Sequence, residues 1–287
     1  MLKRQQIILK IIQSSEKGIS RLQLVKLSFL FADEIILGMP DSFYEFVPYK
    51  FGPFSFGLYH EIENLINQGF IIKKNEQDLI LGEVCNLSAL KLEPVLDKAV
   101  DYIFRKYGGL SNSELLDTVY NRYPWFTLNS VKKESRKVTP VEANIAVYTA
   151  GYESLQVDGF LNMLLQAGIK KIIDVRYNPV ARRFGFHKST LNRLSHNLDI
   201  KYVHLPEAGI PSEWRSNLNS LSEYERLFER YEQEIITKQK VKKIAELMTE
   251  EPSVLVCKET NPRYCHRTRL AKHINNLTGL NIIDLGE

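Results

Sequence analysis

The sequence has few cysteines and no long apolar segment. It contains three cysteines in 287 residues, so a disulfide framework is not expected and the thiols stay free for packing, metal binding or chemistry. The first residues mix charges into an apolar periodicity, unlike a signal peptide, and no run is long and apolar enough to cross a bilayer. We therefore expect a cytoplasmic protein with no membrane partner.

The sequence also lacks two familiar phosphate-binding motifs and a strong basic charge. It has neither a Gly-x-Gly-x-x-Gly fingerprint nor a Walker loop. The 38 Lys and Arg against 34 Asp and Glu leave a net charge of +4, and residues 1–138 carry 18 of the basic residues against 16 acidic ones. Composition therefore permits binding to nucleic acid without arguing for it.

A polar and basic stretch over 129–144, interrupted by Pro140, divides the chain. The periodicity of the apolar residues is mostly helical before this stretch, and short apolar runs alternate with helical segments after it. A chain of this length also suits two domains of ordinary size better than one. We therefore predict two domains, 1–138 and 139–287.

The first half has the order helix, helix, helix and hairpin. Its apolar pattern predicts a helix over 5–13, and Ser20 and Ser55 are placed to cap two more. Two short β-like runs follow, and then two further helices near 91–107 and 111–121. This order is typical of a winged helix-turn-helix, so a mostly helical, winged-helix-like domain is predicted.

The second half predicts an α/β doubly wound domain with a mainly parallel sheet. The residues of its predicted strands are apolar on both faces, and predicted helices alternate with these strands. We predict strands in NIAVYTA, KKIIDVR, IKYVHL, SVLVC and LNIIDL, and helices near 156–167, 188–197, 222–249 and 265–276.

Ligands bind an open parallel sheet beyond the carboxyl ends of its strands. Four of the five predicted strands end in polar or chemically active groups, namely Gly151-Tyr152, Asp174 to Arg176, His204 and Cys257 to Glu259. The sequence therefore predicts a site at this edge of the sheet. A structural network of ion pairs at the strand ends is the alternative explanation.

Cys265 precedes a predicted helix, where free amide groups and the helix dipole stabilise a thiolate. A nucleophilic thiol and a small buried side chain are both consistent with this position. The spacing to Arg267 is not that of the cysteine phosphatases. A metal site is disfavoured because Cys257 and Cys265 are eight residues apart on separate elements, whereas structural zinc prefers pairs two to four apart. No metal or cofactor is expected.

Arg176, Arg267 and the start of the last helix suit an anion pocket, because guanidinium and amide groups match phosphate oxygens. Asp174 and Glu259 would orient an arginine or move a proton, and His204 would also act in proton transfer. Tyr152 would stack on a ring of the ligand. The candidate catalytic residues are thus Cys265, His204, Glu259 and Asp174.

Four motifs in order carry a resemblance: VYTAGY, DVRYNPVARRFGF, YVHLPEAGIP and VCKETNPRYCHR. They are similar to those of the domain of unknown function 488 family, over residues 145 to about 285. The resemblance adds Tyr202 and His266 to the candidate site, and Ala181 departs from the usual serine. The candidate ligand-binding residues are then Gly151, Tyr152, Arg176, Tyr202, Cys257, His266 and Arg267.

The first half resembles the SocA or Panacea type of antitoxin-associated domain, in LVKLSFLFADE, YKFGPFSFGLYHEIENLINQGFI and YPWFTLNS. This resemblance implies that residues 1–138 bind a protein partner or DNA in phage-conflict or stress systems. The third helix carries Glu61 and Glu63 and no arginine, which counts against DNA.

These observations predict a two-domain protein of phage-defence or stress type. Its second half would bind a nucleotide or nucleic-acid ligand and hydrolyse it or transfer a group on it. The alternative is a non-enzymatic regulator, with a DNA- or protein-binding first half and a ligand-sensing second half.

Overall fold

Apolar clusters form on both sides of residues 139 and 140. The computed structural model describes residues 1–35, 40, 43–75, 78–85, 92–215 and 218–286. They divide into two compact units, Met1–Thr139 and Pro140–Glu287. Each unit is described by itself below.

The first unit contains the predicted helices and hairpin. Ser20 accepts a hydrogen bond from the amide of Gln23, and Ser55 accepts one from the amide of Leu58, so both predicted caps are present. Part of the start predicted near residue 91 lies outside the described residues. The elements are α1 (Lys3–Gln13), β1 (Ile19–Ser20), α2 (Arg21–Glu34), β2 (Val47–Tyr49), β3 (Gly52–Phe54), α3 (Phe56–Asn67), β4 (Ile71–Lys73), β5 (Asp78–Leu81), α4 (Pro94–Tyr107) and α5 (Asn112–Arg122).

Three short strands of this unit were not predicted. β1 joins the hairpin in an antiparallel sheet of order β1-β5-β4, and β2 pairs with β3. Pro48 lies opposite Pro53 in the second pair. Because proline has no amide hydrogen to donate, such a segment has the sequence pattern of a loop.

The carboxylates of α3 are engaged within the unit. Arg4 donates to Glu61 at 2.9 Å, and Arg21 pairs with Glu63 at 2.5 Å. Because α3 contains no lysine or arginine, its surface carries paired carboxylates and no cation of these two types. The winged-helix character of the unit stays a prediction.

The second unit is built on five parallel strands in the order β10-β6-β9-β7-β8. This confirms an α/β fold with a parallel sheet. The elements are β6 (Val147–Gly151), α6 (Val157–Gln166), β7 (Lys171–Asp174), α7 (Lys188–His196), β8 (Lys201–His204), α8 (Leu221–Glu234), α9 (Lys238–Glu250), β9 (Ser253–Cys257), α10 (His266–Thr278) and β10 (Ile282–Asp284).

The sheet is covered on both faces. Ile173 and Leu255 belong to a buried cluster with residues of α9 and α10, and their strand neighbours Ile172 and Val254 are buried as well. Since successive side chains of a strand point to opposite faces, the second face is also covered. α10 contacts both α8 and α9.

The single helix predicted over 222–249 is wrong. α8 ends at Glu234, and α9 begins at Lys238 with Thr237 as its cap, whose side chain accepts from the amide of Lys240. The apolar periodicity continues through the break, so it gives no sign of the end. Threonine at this position is the local signal for a new start.

In the part of the chain that the structure describes, no helix is both long enough and apolar enough to span a membrane.

Lys26 provides a test of the first unit. It is 2% exposed and donates to the carbonyl of Pro53 at 2.7 Å. Burial lowers its pKa from 10.5 to about 7, so between these values the unfolded chain holds a proton that the folded chain lacks. The free energy of unfolding should therefore rise with pH across this window, by up to about 5 kcal/mol. Trp125 fluorescence in a Trp214→Phe background would follow denaturant unfolding of this unit.

Lys26→Met should lose this rise, whereas Lys98→Met, which changes an exposed lysine of α4, should keep it. Equal pH dependence in wild type and Lys26→Met would contradict the assignment.

Candidate functional site

The predicted strand ends meet at one edge of the sheet. Gly151 lies in register with Cys257, and Asp174 lies in register with both Val256 and His204. β9 stands between β6 and β7, and its chain continues to α10, whereas β6 and β7 lead to α6 and α7. The connections thus diverge around the carboxyl end of β9, which is where an open α/β sheet forms its crevice.

A buried ion pair follows β7. Arg176 donates through Nε to Asp174 Oδ1 at 2.8 Å and through Nη2 to Oδ2 at 2.5 Å. Tyr202 of β8 donates to the same carboxylate at 2.5 Å, and burial together with the charge of Asp174 raises the pKa of its hydroxyl. Asp174 is fully buried. The carboxylate predicted as catalytic therefore holds an arginine and a tyrosine in place.

Arg176 also donates hydrogen bonds to two other acceptors of the protein. Its Nη1 donates to the Tyr152 hydroxyl at 2.7 Å and to the Phe186 carbonyl at 2.9 Å. The Tyr152 ring stacks on Phe186 with centroids 4.0 Å apart, and Tyr152 is 6% exposed. In this structure the groups expected to clamp an anion and stack on a ligand are engaged with each other.

The backbone also brings the strand ends close together. His204 donates from Nε2 to the carbonyl of Arg176 at 2.9 Å. A Cβ on Gly151 would lie 2.0 Å from the carbonyl oxygen of Glu259. Only glycine allows this approach, so Gly151 sets how near the loop after β9 comes to β6.

Arg267 is fully buried and holds the same loop. Its guanidinium donates to the carbonyls of Glu259 and Thr260 and to Asp284 of β10, the last two at 3.1 Å. Asp284 also accepts from the Thr149 hydroxyl at 2.6 Å. The second predicted anion clamp thus joins α10, β10 and the loop that carries Glu259.

The two cysteines meet His266 in one buried cluster. The sulfurs of Cys257 and Cys265 and a ring nitrogen of His266 lie within 4.8 Å of one another, and all three residues are buried. Cys257 Sγ lies 3.6 Å from His266 Nδ1 and 3.0 Å from Glu259 Oε2. We call Cys257, Cys265, His266 and Glu259 the thiol cluster. The fold therefore joins residues that the sequence places on separate elements.

Two further contacts fix the orientation of the thiol cluster. His266 donates from Nε2 to the Val175 carbonyl at 3.1 Å, which leaves Nδ1 facing Cys257. Arg215 donates to Glu259 Oε1 at 2.8 Å and lies 3.3 Å from His266 Nδ1. Arg215 was not predicted as a site residue, because it lies in a short 3-10 helix between β8 and α8 and has no local signal of function.

The two thiols have opposite acidities. Burial raises the pKa of the Cys257 thiol, but a hydrogen bond from Cys265 and the charges of His266 and Arg215 bring it well below its ordinary value. The pKa of Cys265 is well above its ordinary value, because of burial and the neighbouring Cys257. The first of the pair to ionise is thus Cys257, whereas the sequence pointed to Cys265.

Residues 156–274 match the model of one protein family. Its description is domain of unknown function DUF488. This confirms the resemblance for the second half. The matched range contains the thiol cluster and the Asp174–Arg176 pair, while Gly151 and Tyr152 precede it. Comparisons with curated proteins and with solved structures find no match, so the resemblance of the first half stays a prediction.

A groove lies within the matched residues, between α8 and the start of α10. Its volume is about 330 Å³, and Cys265 forms part of its wall. Three cationic side chains, Arg263, Arg269 and Lys272, line it with one carboxylate, Glu225. Arg263 and Lys272 are exposed, whereas Arg269 lies 3.7 Å from Glu232. The cations were not predicted as site residues, because exposed Lys and Arg are common on any helix.

The structural role of Arg267 can be measured directly. Arg267→Leu removes one partner of a buried ion pair and two carbonyl contacts, so we expect the free energy of unfolding of this unit to fall by about 3–5 kcal/mol. Trp214 fluorescence in a Trp125→Phe background would report the transition in denaturant.

Arg269→Leu, two residues along the same helix in a partly exposed pair, should cost less than about 1 kcal/mol. Wild-type stability of Arg267→Leu, combined with loss of anion binding, would instead support the predicted clamp.

Proposed function

We propose that the second unit binds a phosphate-bearing ligand, a nucleotide or the end of a nucleic acid, in the groove beside Cys265. The observation that carries this proposal is the grouping of Arg263, Arg269 and Lys272 around a groove of about 330 Å³. Guanidinium and ammonium groups form strong, charge-assisted hydrogen bonds with phosphate oxygens. The volume also suits a ligand of mononucleotide size.

We therefore assign anion binding to side chains that line the groove, and no longer to Arg176 and Arg267. The two buried arginines donate to protein acceptors, and moving either toward a ligand would break an ion pair. Arg263 and Lys272 are exposed, so binding an anion there costs little desolvation of protein partners.

We further propose that the unit hydrolyses this ligand or transfers a group on it. Cys265 lines the groove, and the rest of the thiol cluster lies behind it. The cluster supplies two thiols and an imidazole whose sulfur and nitrogen atoms lie within 4.8 Å of one another, together with a carboxylate in contact with Cys257. These are the groups that general acid–base and nucleophilic catalysis use. A place in phage defence or stress stays a prediction from the resemblance of the first half.

The groove is tested by removing its two exposed cations. Wild-type protein should bind a fluorescent adenosine monophosphate or a 5′-phosphorylated oligonucleotide, with affinity that falls as salt rises. Arg263→Ala combined with Lys272→Ala should weaken binding about tenfold or more, because two charge-assisted contacts are lost. Fluorescence polarisation measures the affinity, and chromatography of the nucleotide after incubation reports turnover.

Lys238→Ala combined with Lys242→Ala is the matched control, since it removes two exposed lysines from α9. It should leave the affinity unchanged. Failure of the wild type to bind either probe, or equal binding by the groove variant, would refute the proposal.

For the first unit we propose docking to a protein partner. α3 contains no lysine or arginine, so it offers neither to a phosphate backbone, and its Glu61 and Glu63 pair with arginines of the same unit. Phe51, at the turn between β2 and β3, is 46% exposed beside exposed Lys50, and an exposed aromatic side chain is common in protein interfaces.

We therefore expect no mobility shift of random-sequence duplex DNA by the full chain with Arg263 and Lys272 replaced by alanine, at physiological salt. A shift that Lys50→Ala abolishes would show instead that the first unit contacts DNA. Using the groove variant keeps nucleic-acid binding by the second unit out of the measurement.

A further inference from the structure

The thiol cluster has the composition and geometry of a metal site. We propose that Cys257, Cys265 and Nδ1 of His266 bind a thiophilic divalent cation, zinc, with the Glu259 carboxylate as the fourth ligand. Thiolate and imidazole are the groups that zinc prefers in proteins, and a carboxylate is a common third kind of ligand. This inference does not depend on the proposed ligand of the groove, but it replaces the proposed catalytic use of the thiol cluster, because a bound metal would occupy the same four groups.

The distances suit tetrahedral coordination. With ordinary zinc–sulfur and zinc–nitrogen bonds, sulfur and nitrogen ligands lie about 3.5 Å apart. Cys257 Sγ and His266 Nδ1 are 3.6 Å apart, and all three ligand atoms lie within 4.8 Å of one another. Glu259 Oε2 lies 3.0 Å from Cys257 Sγ but does not belong to the group of atoms within 4.8 Å of one another, so the Glu259 side chain would have to move to become the fourth ligand.

Partners outside the ligands are already in place. Metal-binding histidines usually donate their other ring nitrogen to a carbonyl or carboxylate, which fixes the ring. His266 Nε2 does so to the Val175 carbonyl at 3.1 Å. Arg215 holds Glu259 through Oε1 at 2.8 Å and leaves Oε2 toward the cluster. The nitrogen that the metal would take, Nδ1, is in contact with Arg215 at 3.3 Å, so Arg215 would retain only its contact with Glu259.

The charges balance when the metal is present. Two thiolates and the Glu259 carboxylate carry three negative charges, which a divalent cation and the Arg215 guanidinium neutralise. Arg267 is balanced separately by Asp284 at 3.1 Å. Binding therefore introduces no uncompensated charge into a buried site, and the protons of the two thiols pass to the buffer.

An unpartnered donor lies beside the cluster. Nε of the fully buried Arg267 has no hydrogen-bond partner among the described residues, and Arg267 follows Cys265 by two positions at the start of α10. A metal-bound thiolate accepts hydrogen bonds from neighbouring N–H groups, so Cys265 as a ligand would provide an acceptor on this side.

The distance between Cys257 and Cys265 along the chain does not prevent them from sharing a metal in the fold. The cysteines are eight residues apart, which is too far for one zinc-binding turn. The chain returns over this span, because Arg267 binds the carbonyls of Glu259 and Thr260 and brings the start of α10 against the end of β9. The spacing rule applies to ligands on one turn, and here the ligands come from a strand end and a helix start.

The test is metal uptake by the full chain, reduced and freed of metal with a chelator. With zinc as the only addition, we expect about one equivalent bound per chain, counted by mass spectrometry of the metal after gel filtration. Cys257→Ser and Cys265→Ser should each retain less than about a tenth of an equivalent. Cys85→Ser removes the one remaining cysteine, from the other unit, and should bind like wild type.

The absorption spectrum of bound cobalt(II) gives a second measurement, which does not depend on the number of metal equivalents per chain. Wild type should show the intense visible bands of tetrahedral cobalt and the ultraviolet bands of cobalt bound by thiolate. Glu259→Gln should shift the visible bands, and circular dichroism would establish that every variant compared is folded.

No stoichiometric uptake by folded, reduced wild type would overturn the proposal. Formation of a Cys257–Cys265 disulfide on mild oxidation, with no metal bound before it, would assign the cysteines to a redox pair instead. The groove variant, Arg263→Ala with Lys272→Ala, should bind zinc like wild type, so a failure of nucleotide binding and a failure of metal binding are separate results.

Discussion

The arrangement of the site depends on one buried guanidinium. Arg267 projects from the first turn of α10 and binds two carbonyls of the loop after β9 and the carboxylate of β10. A charge in this position is stable only when several partners surround it, since burying an isolated ion costs several kcal/mol. These partners fix the loop that carries Glu259 and bring Cys265 and His266 toward Cys257. Gly151 of β6 has no side chain and so leaves room for the Glu259 carbonyl. It therefore allows the same loop to approach β6.

Much of the fold follows from the sequence because local signals agree with tertiary structure. Serine caps, apolar strands and the change of periodicity after residue 139 predict most elements of both units. The failures have local causes. β2 and β3 each contain a proline, so they lack the signature of a strand. α8 and α9 share one apolar periodicity across their break, and only Thr237 marks the new start.

For the site, the sequence predicts location better than role. Parallel strands deliver their ends to one edge, so the grouping of Asp174, His204 and Cys257 follows from their positions in the chain. Which group pairs with which does not follow, because partners such as Arg215 and Asp284 come from distant segments with no signal of their own. The arginines predicted as anion ligands donate to protein acceptors in this structure, and the cations that line the groove lie on the surface of helices.

The order of strands in the sheet also has a consequence for assembly. β9 lies between β6 and β7, although about 80 residues separate it from β7 in the chain. Before β9 is in place, β6 and β7 have no common neighbour, and the earlier strands cannot form the continuous sheet. The central strand thus leaves the ribosome after β6, β7 and β8, and it carries Cys257. The fold and the chemistry of this unit are therefore completed by the same late step, so a nascent chain that stops short of β9 has no partly formed site.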